Sequence, residues 1–275
     1  MIVCSNITHD AIARMEKCPD ARLHRLMTGI IAHIHDFVRE YQPTDAEWEA
    51  AIDFLTRTGK MCSDERQEFI LLSDVLGVSM LVDAVNRPVD GGATESTVFG
   101  PFYSGEQTEL PYGASILRRD EAGERLFVEG TVGREDGSPL ADAKLEVWQT
   151  APNGLYDVQD GDQPKGHLRG TFRTDTLGRY SFETVRPVSY PVPGDGPVGQ
   201  LLKALGRHLY RPAHIHFMIS APGHRKLVTH LFMAGDPYLA SDTVFGVKPS
   251  LVVTPTSDDG RLQVRHDFLL MADIP

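Results

Sequence analysis

The side chains with the most chemistry to offer gather in the second half of the chain. In Arg211-Pro212-Ala213-His214-Ile215-His216-Phe217 a His-x-His stands inside a β-like run, Ala213 to Ile219. Strand side chains alternate, so His214 and His216 share one face while Ala213, Ile215 and Phe217 share the other. One face can join an apolar core while the other aims two imidazoles at a single point, which suits a metal ion. The alternative is two ordinary strand histidines, and so short a motif does not choose between them. Two tyrosines lie upstream in stiff surroundings. Tyr156 follows Asn153-Gly154-Leu155 in a turn leaving the strand that carries Trp148, and Tyr190 lies between Pro187 and Pro191. Prolines remove backbone donors and fix φ, so Tyr190 is held in one place. Either tyrosine could equally be a packed aromatic with its hydroxyl satisfied. A second His-x-His, His33-Ile34-His35, falls in a helical pattern. Two helical residues two apart point roughly 200° away from each other, so this pair is read as structural.

The elements that must position these residues divide the chain in two. From about Asp10 to Arg87 the pattern is helical, with Leu23, Leu26, Ile30, Ile34 and Phe37 on one face. Thr44 and Glu47 form a capping box at the start of a second helix. Ser63 is expected to cap a third long helix, Asp64 to about Asn86, ended by Pro88. Between Pro88 and Ile116 glycine, proline and turn residues dominate, but the apolar run Val98 to Tyr103 must pack against something. From about Arg125 some eight short strands follow: Leu126 to Val132, Lys144 to Thr150, Thr171 to Thr174, Arg179 to Thr184, Ala213 to Ser220, Lys226 to Met233, Leu251 to Thr254 and Leu262 to Leu270. Asp175 to Gly178 reads as a hairpin turn, and Val198 to Leu209 as one short helix. The expected fold is mixed α and β: an all-α part, residues 1–100, then an antiparallel β-sandwich, residues 101–275.

Bulk properties narrow the function. A net charge of -11 over 275 residues argues against nucleic acid. No run of eighteen apolar residues spans a membrane. Cys4, Cys18 and Cys62 fit neither a disulfide framework nor a zinc site. Met1 to Asp10 has no basic stretch followed by an apolar one, so a cytoplasmic protein is expected.

The combination of a strand His-x-His, Arg211 before it and two rigidly held tyrosines resembles the intradiol ring-cleaving dioxygenases. The resemblance runs through Gly154-Leu155-Tyr156, Tyr190-Pro191-Val192-Pro193, Tyr210 to Phe217 and Val244-Phe245-Gly246-Val247-Lys248. The helical first third and Glu95 to Phe102 are similar to the catechol/hydroxyquinol branch. Leu71 to Gly77 and Leu155 to Gln159 look most like its hydroxyquinol-cleaving members. The resemblance implies a non-haem Fe(III) held by Tyr156, Tyr190, His214 and His216. Phenolates are anionic oxygen donors that favour the ferric state. It implies that Tyr190 takes a substrate proton, that Arg211 stabilises negative charge on the ring, and that O2 is inserted between two hydroxyl-bearing carbons. Strict alternation would put Arg211 on the face opposite His214, so its role requires Pro212 to break the strand.

The expected pocket is lined by Val98, Phe99, Gly100, Pro101, Phe102, Val192, Pro193, Arg211, Val244 and the third long helix, through Leu71 and Asp74. Asp74 would accept a hydrogen bond from the third hydroxyl of benzene-1,2,4-triol, an arrangement that disfavours catechol. The expected product is maleylacetate. Catechol or a substituted catechol, giving cis,cis-muconates, is the second candidate. The resemblance further implies a homodimer through the N-terminal helices and a phospholipid tail held between them. His208, His224 and His230 are read as structural. A reading of another class also stands: Gly130 to Leu140 and Thr174 to Tyr180 look like edges of transthyretin-like modules, which would bind without metal and be colourless.

Overall fold

The computed structural model describes residues 6–63, 66–88, 91–105, 107–258 and 260–273. The chain folds as two compact units, Met1–Arg57 and Thr58–Pro275. In the first, α1 (Ile7–Ala13) precedes α2 (Ala21–Tyr41), which begins where the Asp20 carboxylate accepts from the amides of Arg22 and Leu23. The capping box is present at α3 (Asp45–Lys60): Glu47 Oε2 accepts from the Thr44 amide at 2.8 Å, and Thr44 Oγ1 accepts from the Glu47 amide at 3.3 Å. Along α2 the stripe Leu23, Leu26, Ile30, Ile34 and Phe37 is exposed. His33 is exposed, and His35 Nδ1 pairs with Thr8 Oγ1 at 2.8 Å.

The expected third long helix is two helices, α4 (Glu68–Val75) and α5 (Val78–Asn86). Gly77 sits between them at φ +75°, a left-handed conformation that stops α4 and restarts the chain as α5. Asp64, its expected first residue, lies outside the described residues.

The expectation of a helical part followed by a β-sandwich holds, with more strands than anticipated. One sheet is centred on β1 (Arg125–Arg134), whose alternate residues Leu126, Val128 and Val132 are buried. In sequence order the further strands are β2 (Lys144–Trp148), β3 (Arg169–Arg173), β4 (Arg179–Val185), β5 (Tyr190–Pro191), β6 (Tyr210–Arg211), β7 (His214–Ser220), β8 (Leu227–Met233), β9 (Val252–Val253), β10 (Thr256–Asp258), β11 (Arg261–Arg265) and β12 (Phe268–Leu270). The first sheet runs β10-β11-β1-β12, with β4 also against β1; the second runs β3-β2-β7-β8-β9. Most pairings are antiparallel, but β1 meets β11 and β12 in parallel, as β8 meets β9.

Two local expectations are corrected. Asp175 to Gly178 is a turn, with Gly178 at φ +73°, but not a hairpin: β3 and β4 on its two sides belong to different sheets. Leu262 to Leu270 is two strands. Between them the chain crosses so close to Gly130 that a Cβ there would lie 1.7 Å from the His266 carbonyl oxygen, which only glycine allows. The short helix is α6, Pro197–Ala204. The main core lies between the sheets, where Ile215, Phe217 and Ile219 of β7 meet Val128, Phe182 and Phe268. No helix among the described residues is long and apolar enough to cross a membrane.

Candidate metal centre and active site

The face of β7 turned away from that core carries His214 and His216. Each is 2% exposed or less. His216 stands directly opposite Trp148 on β2 and His230 on β8. The Trp148 ring stacks on it at 4.7 Å, and the His230 ring meets it edge-on at 4.1 Å. His214 Nδ1 donates to the Pro212 carbonyl oxygen at 2.7 Å, which leaves its Nε2 as a lone pair.

A separate two-stranded ribbon delivers two more groups. In it β5 pairs with β6 and Tyr190 is opposite Arg211. Because Arg211 belongs to β6, with Pro212 and Ala213 between it and β7, alternation does not carry through. Arg211 Nη1 comes 3.2 Å from His214 Nε2, on the same side as the imidazoles. Tyr156 enters from the loop after β2. There Gly154, at φ +81°, lies so close to Tyr190 that an added Cβ would sit 3.4 Å from the Tyr190 Cβ. Phe102 stacks on the Tyr156 ring at 4.5 Å, while the buried Arg169–Asp157 pair, 2.6 Å apart, secures the loop.

Four donor atoms therefore converge. Tyr156 Oη is 3.2 Å from Tyr190 Oη and 3.0 Å from His216 Nε2, and His216 Nε2 is 3.1 Å from His214 Nε2. Two phenols and two imidazoles in so small a buried space leave acceptor lone pairs facing one another. A bound cation resolves that crowding. Burial pushes the pKa of Tyr156 well above its ordinary value, and the neighbouring Tyr190 pushes it further. Burial also raises Tyr190, against the opposing charge of Arg211. It holds His214 and His216 well below the usual imidazole range, helped by Arg211 and, for His216, by His214. Neutral imidazoles are ready ligands. Protonated phenols would need a high positive charge at this point to ionise, and a trivalent ion supplies it. The residues thus fit a ferric centre.

Arg211 is itself buried. Desolvation works against its charge, but the Asp242 carboxylate holds it protonated, accepting from Nε at 3.2 Å and from Nη2 at 3.4 Å. The amides of Val244 and Gly246 donate to that carboxylate in turn.

The expected pocket residues divide between two cavities. Leu71, Pro101, Phe102, Val192 and Pro193 line one of about 440 Å³. Asp74, Val98, Phe99 and Gly100 line another of about 480 Å³. The strap from Val98 to Phe102 contributes to both, and a Cβ added to Gly100 would lie 3.4 Å from the His216 ring. Val244 is buried but lines neither cavity, and neither does Arg211. Asp74 is buried on α4, and desolvation raises its pKa against a hydrogen bond from Ser79. Sequence reasoning missed Asp242 and set His230 aside. Asp242 has no local motif, and His230 comes opposite His216 only through the register of β7 and β8.

Residues 98–272 match the family model described as dioxygenase, and residues 20–94 match the one described as catechol dioxygenase N terminus. The chain belongs to the intradiol ring-cleavage dioxygenases. It is 52% identical to a hydroxyquinol 1,2-dioxygenase of Rhizobium sp. (strain MTP-10005), over 94% of this chain and 92% of the relative. It is 48% identical to a 6-chlorohydroxyquinol 1,2-dioxygenase of Cupriavidus pinatubonensis, over 96% of each. The crystal structure of a hydroxyquinol 1,2-dioxygenase from Pseudomonas putida DLL-E4 superimposes with a TM-score of 0.92 at 47% identity, covering 98% of this chain and 99% of that one. An intradiol ring-cleaving enzyme is therefore the reading that stands, and the metal-free binding module does not.

Proposed function

We propose that this intradiol dioxygenase cleaves hydroxyquinol, benzene-1,2,4-triol, between its adjacent hydroxyl-bearing carbons with O2 to give maleylacetate. The observation that carries the reading is the convergence of Tyr156 Oη, Tyr190 Oη, His214 Nε2 and His216 Nε2 at one buried point. These four would hold a non-haem Fe(III), which when bound supplies a Lewis-acidic centre for the aromatic diolate. The two named relatives acting on hydroxyquinols support the substrate class.

The chain's own residues then have distinct tasks. Tyr190, once ionised to its phenolate, would take a proton from a substrate hydroxyl at Oη and become a neutral phenol. Arg211, a buried cation opposite Tyr190 on the ribbon, stabilises negative charge as the ring loses aromaticity, an interaction strengthened by its burial. Asp74 accepts a hydrogen bond from the third hydroxyl. A buried acceptor left without its partner disfavours catechol. The apolar stripe of α2 is the surface we assign to a second copy of this chain, and an acyl chain is the other apolar group it would take.

Oxygen uptake by the iron-loaded enzyme tests the proposal, comparing hydroxyquinol with catechol after subtraction of hydroxyquinol autoxidation. One O2 consumed per maleylacetate, with a large preference for the triol, is the expected result. A preference for catechol would overturn the substrate assignment while leaving the iron site intact. Asp74→Ala should reduce the triol preference by roughly 10- to 100-fold. An unchanged ratio would remove Asp74 from the pocket argument.

A further inference from the structure

Arg211 is held from more than one side. Beyond its two contacts with Asp242, its Nη2 reaches His230 Nδ1 at 3.4 Å. A guanidinium offers only donors, so His230 Nδ1 accepts and the imidazole proton sits on Nε2. Protonation of Nδ1 would set an N–H against a guanidinium N–H. His230 has no exposed surface, and its Nε2 has no hydrogen-bond partner among the described residues. Its ring lies 4.7 Å from that of His214 and 4.1 Å from that of His216, so it fills the space beside both.

Asp242 alone does not fix the guanidinium, and the His214 Nε2 that Nη1 reaches at 3.2 Å is one of the four donors assigned to the metal. Contacts to one carboxylate leave the planar group free to rock about the line joining them. A contact from β8 removes that freedom, because β8 is locked to β7 in register from His214↔Phe232 to Ile219↔Leu227. We propose that His230 is a positioning residue for Arg211: it sets the rotation of the guanidinium beside the four convergent donors. It acts through Arg211 and not as a ligand. Its Nδ1 is already directed at a cation, although a nitrogen of His214, His216 and His230 all lie within 4.8 Å of one another. The inference rests on the reading of Arg211 as the charge-stabilising group.

The test compares His230→Leu, His230→Gln, Arg211→Leu and the double variant Arg211→Leu/His230→Leu in the iron-loaded enzyme. Iron content and the tyrosinate-to-iron charge-transfer band are recorded beside kcat and KM. His230→Leu should lower kcat about 10- to 100-fold, the usual cost of removing a group that orients a site. KM should move by less than about threefold, with iron content and colour as in the parent. His230→Gln, whose amide oxygen can accept from Nη2, should recover most of the loss. In the Arg211→Leu background, His230→Leu should cost less than about a further threefold.

An unchanged kcat in His230→Leu, or full multiplication of the two losses in the double variant, would overturn the proposal. Loss of iron from folded His230→Leu would make His230 a ligand instead. Where His230→Leu does not fold, His230→Asn replaces it, since that amide is too short to reach Arg211; equal activity of the Asn and Gln variants counts against the proposal. If Arg211→Leu alone leaves turnover unchanged, it is the reading of Arg211 that fails.

Discussion

The apolar stripe of α2 and the inner face of β7 carry the same kind of periodic signal and meet opposite fates. Ile215, Phe217 and Ile219 are fully buried, whereas Ile30 is 50% and Ile34 55% exposed. The polar side is inverted as well. β7 hides two histidines on its other face, while α2 leaves His33 in the open. β7 is covered on both faces by its own domain, so it can support a buried polar site as well as a core. An amphipathic helix states only that one face wants cover. Here the cover for the stripe is assigned to a second chain, while the four candidate metal ligands all come from the sandwich part.

The largest effect expected from breaking that contrast comes at the buried polar face. His216→Ala should abolish stoichiometric iron binding and reduce ring cleavage by about a thousandfold or more, on the scale of losing a group that stabilises charge in the transition state. Metal analysis beside oxygen uptake measures it, and a variant that keeps iron and turnover would remove His216 from the centre.

Equal truncations in the two apolar faces sharpen the contrast. Leu145→Ala, in the sandwich core, should cost about 2–5 kcal/mol in denaturant unfolding. Ile34→Ala should leave that transition in place and instead weaken self-association about tenfold or more, read by sedimentation at several concentrations. If Ile34→Ala left self-association untouched, the stripe would have some other cover.

A further effect is in pH. Burial holds His214, His216 and His230 well below 6.5 in the folded chain. Below about pH 6.5 the unfolded chain therefore binds more protons than the folded one. The stability of the chelator-treated protein should be fully present above that pH. It should fall as pH drops toward the folded values, by about 1.4 kcal/mol per pH unit for each histidine. Denaturant midpoints at pH 7.5 and 5.5 decide it, and coincident midpoints would mean that these imidazoles are not buried as described.

Much was legible in the sequence because it depends on neighbours along the chain. The strand at His214 to Ser220 shows its alternation directly, and the box at Thr44 and Glu47 is a contact over three residues. The single long helix after Ser63 was misread because Leu76-Gly77 lies inside a continuous apolar pattern, and periodicity is blind to one glycine at positive φ. The hairpin expected at Asp175 was misread for a related reason. A turn sequence reverses the chain but does not say which sheet receives the next strand.

Local pattern by itself determined the two-part architecture, the residue types able to bind a metal and the face that presents two imidazoles, since each follows from periods of 2 and 3.6 along the backbone. Only the tertiary structure decided that a two-stranded ribbon brings Tyr190 and Arg211 to those imidazoles, that Asp242 keeps Arg211 charged, that His230 stands opposite His216, and that the expected pocket residues line two cavities. These relations join residues far apart in sequence. They are fixed by strand register and packing, which no local spacing encodes.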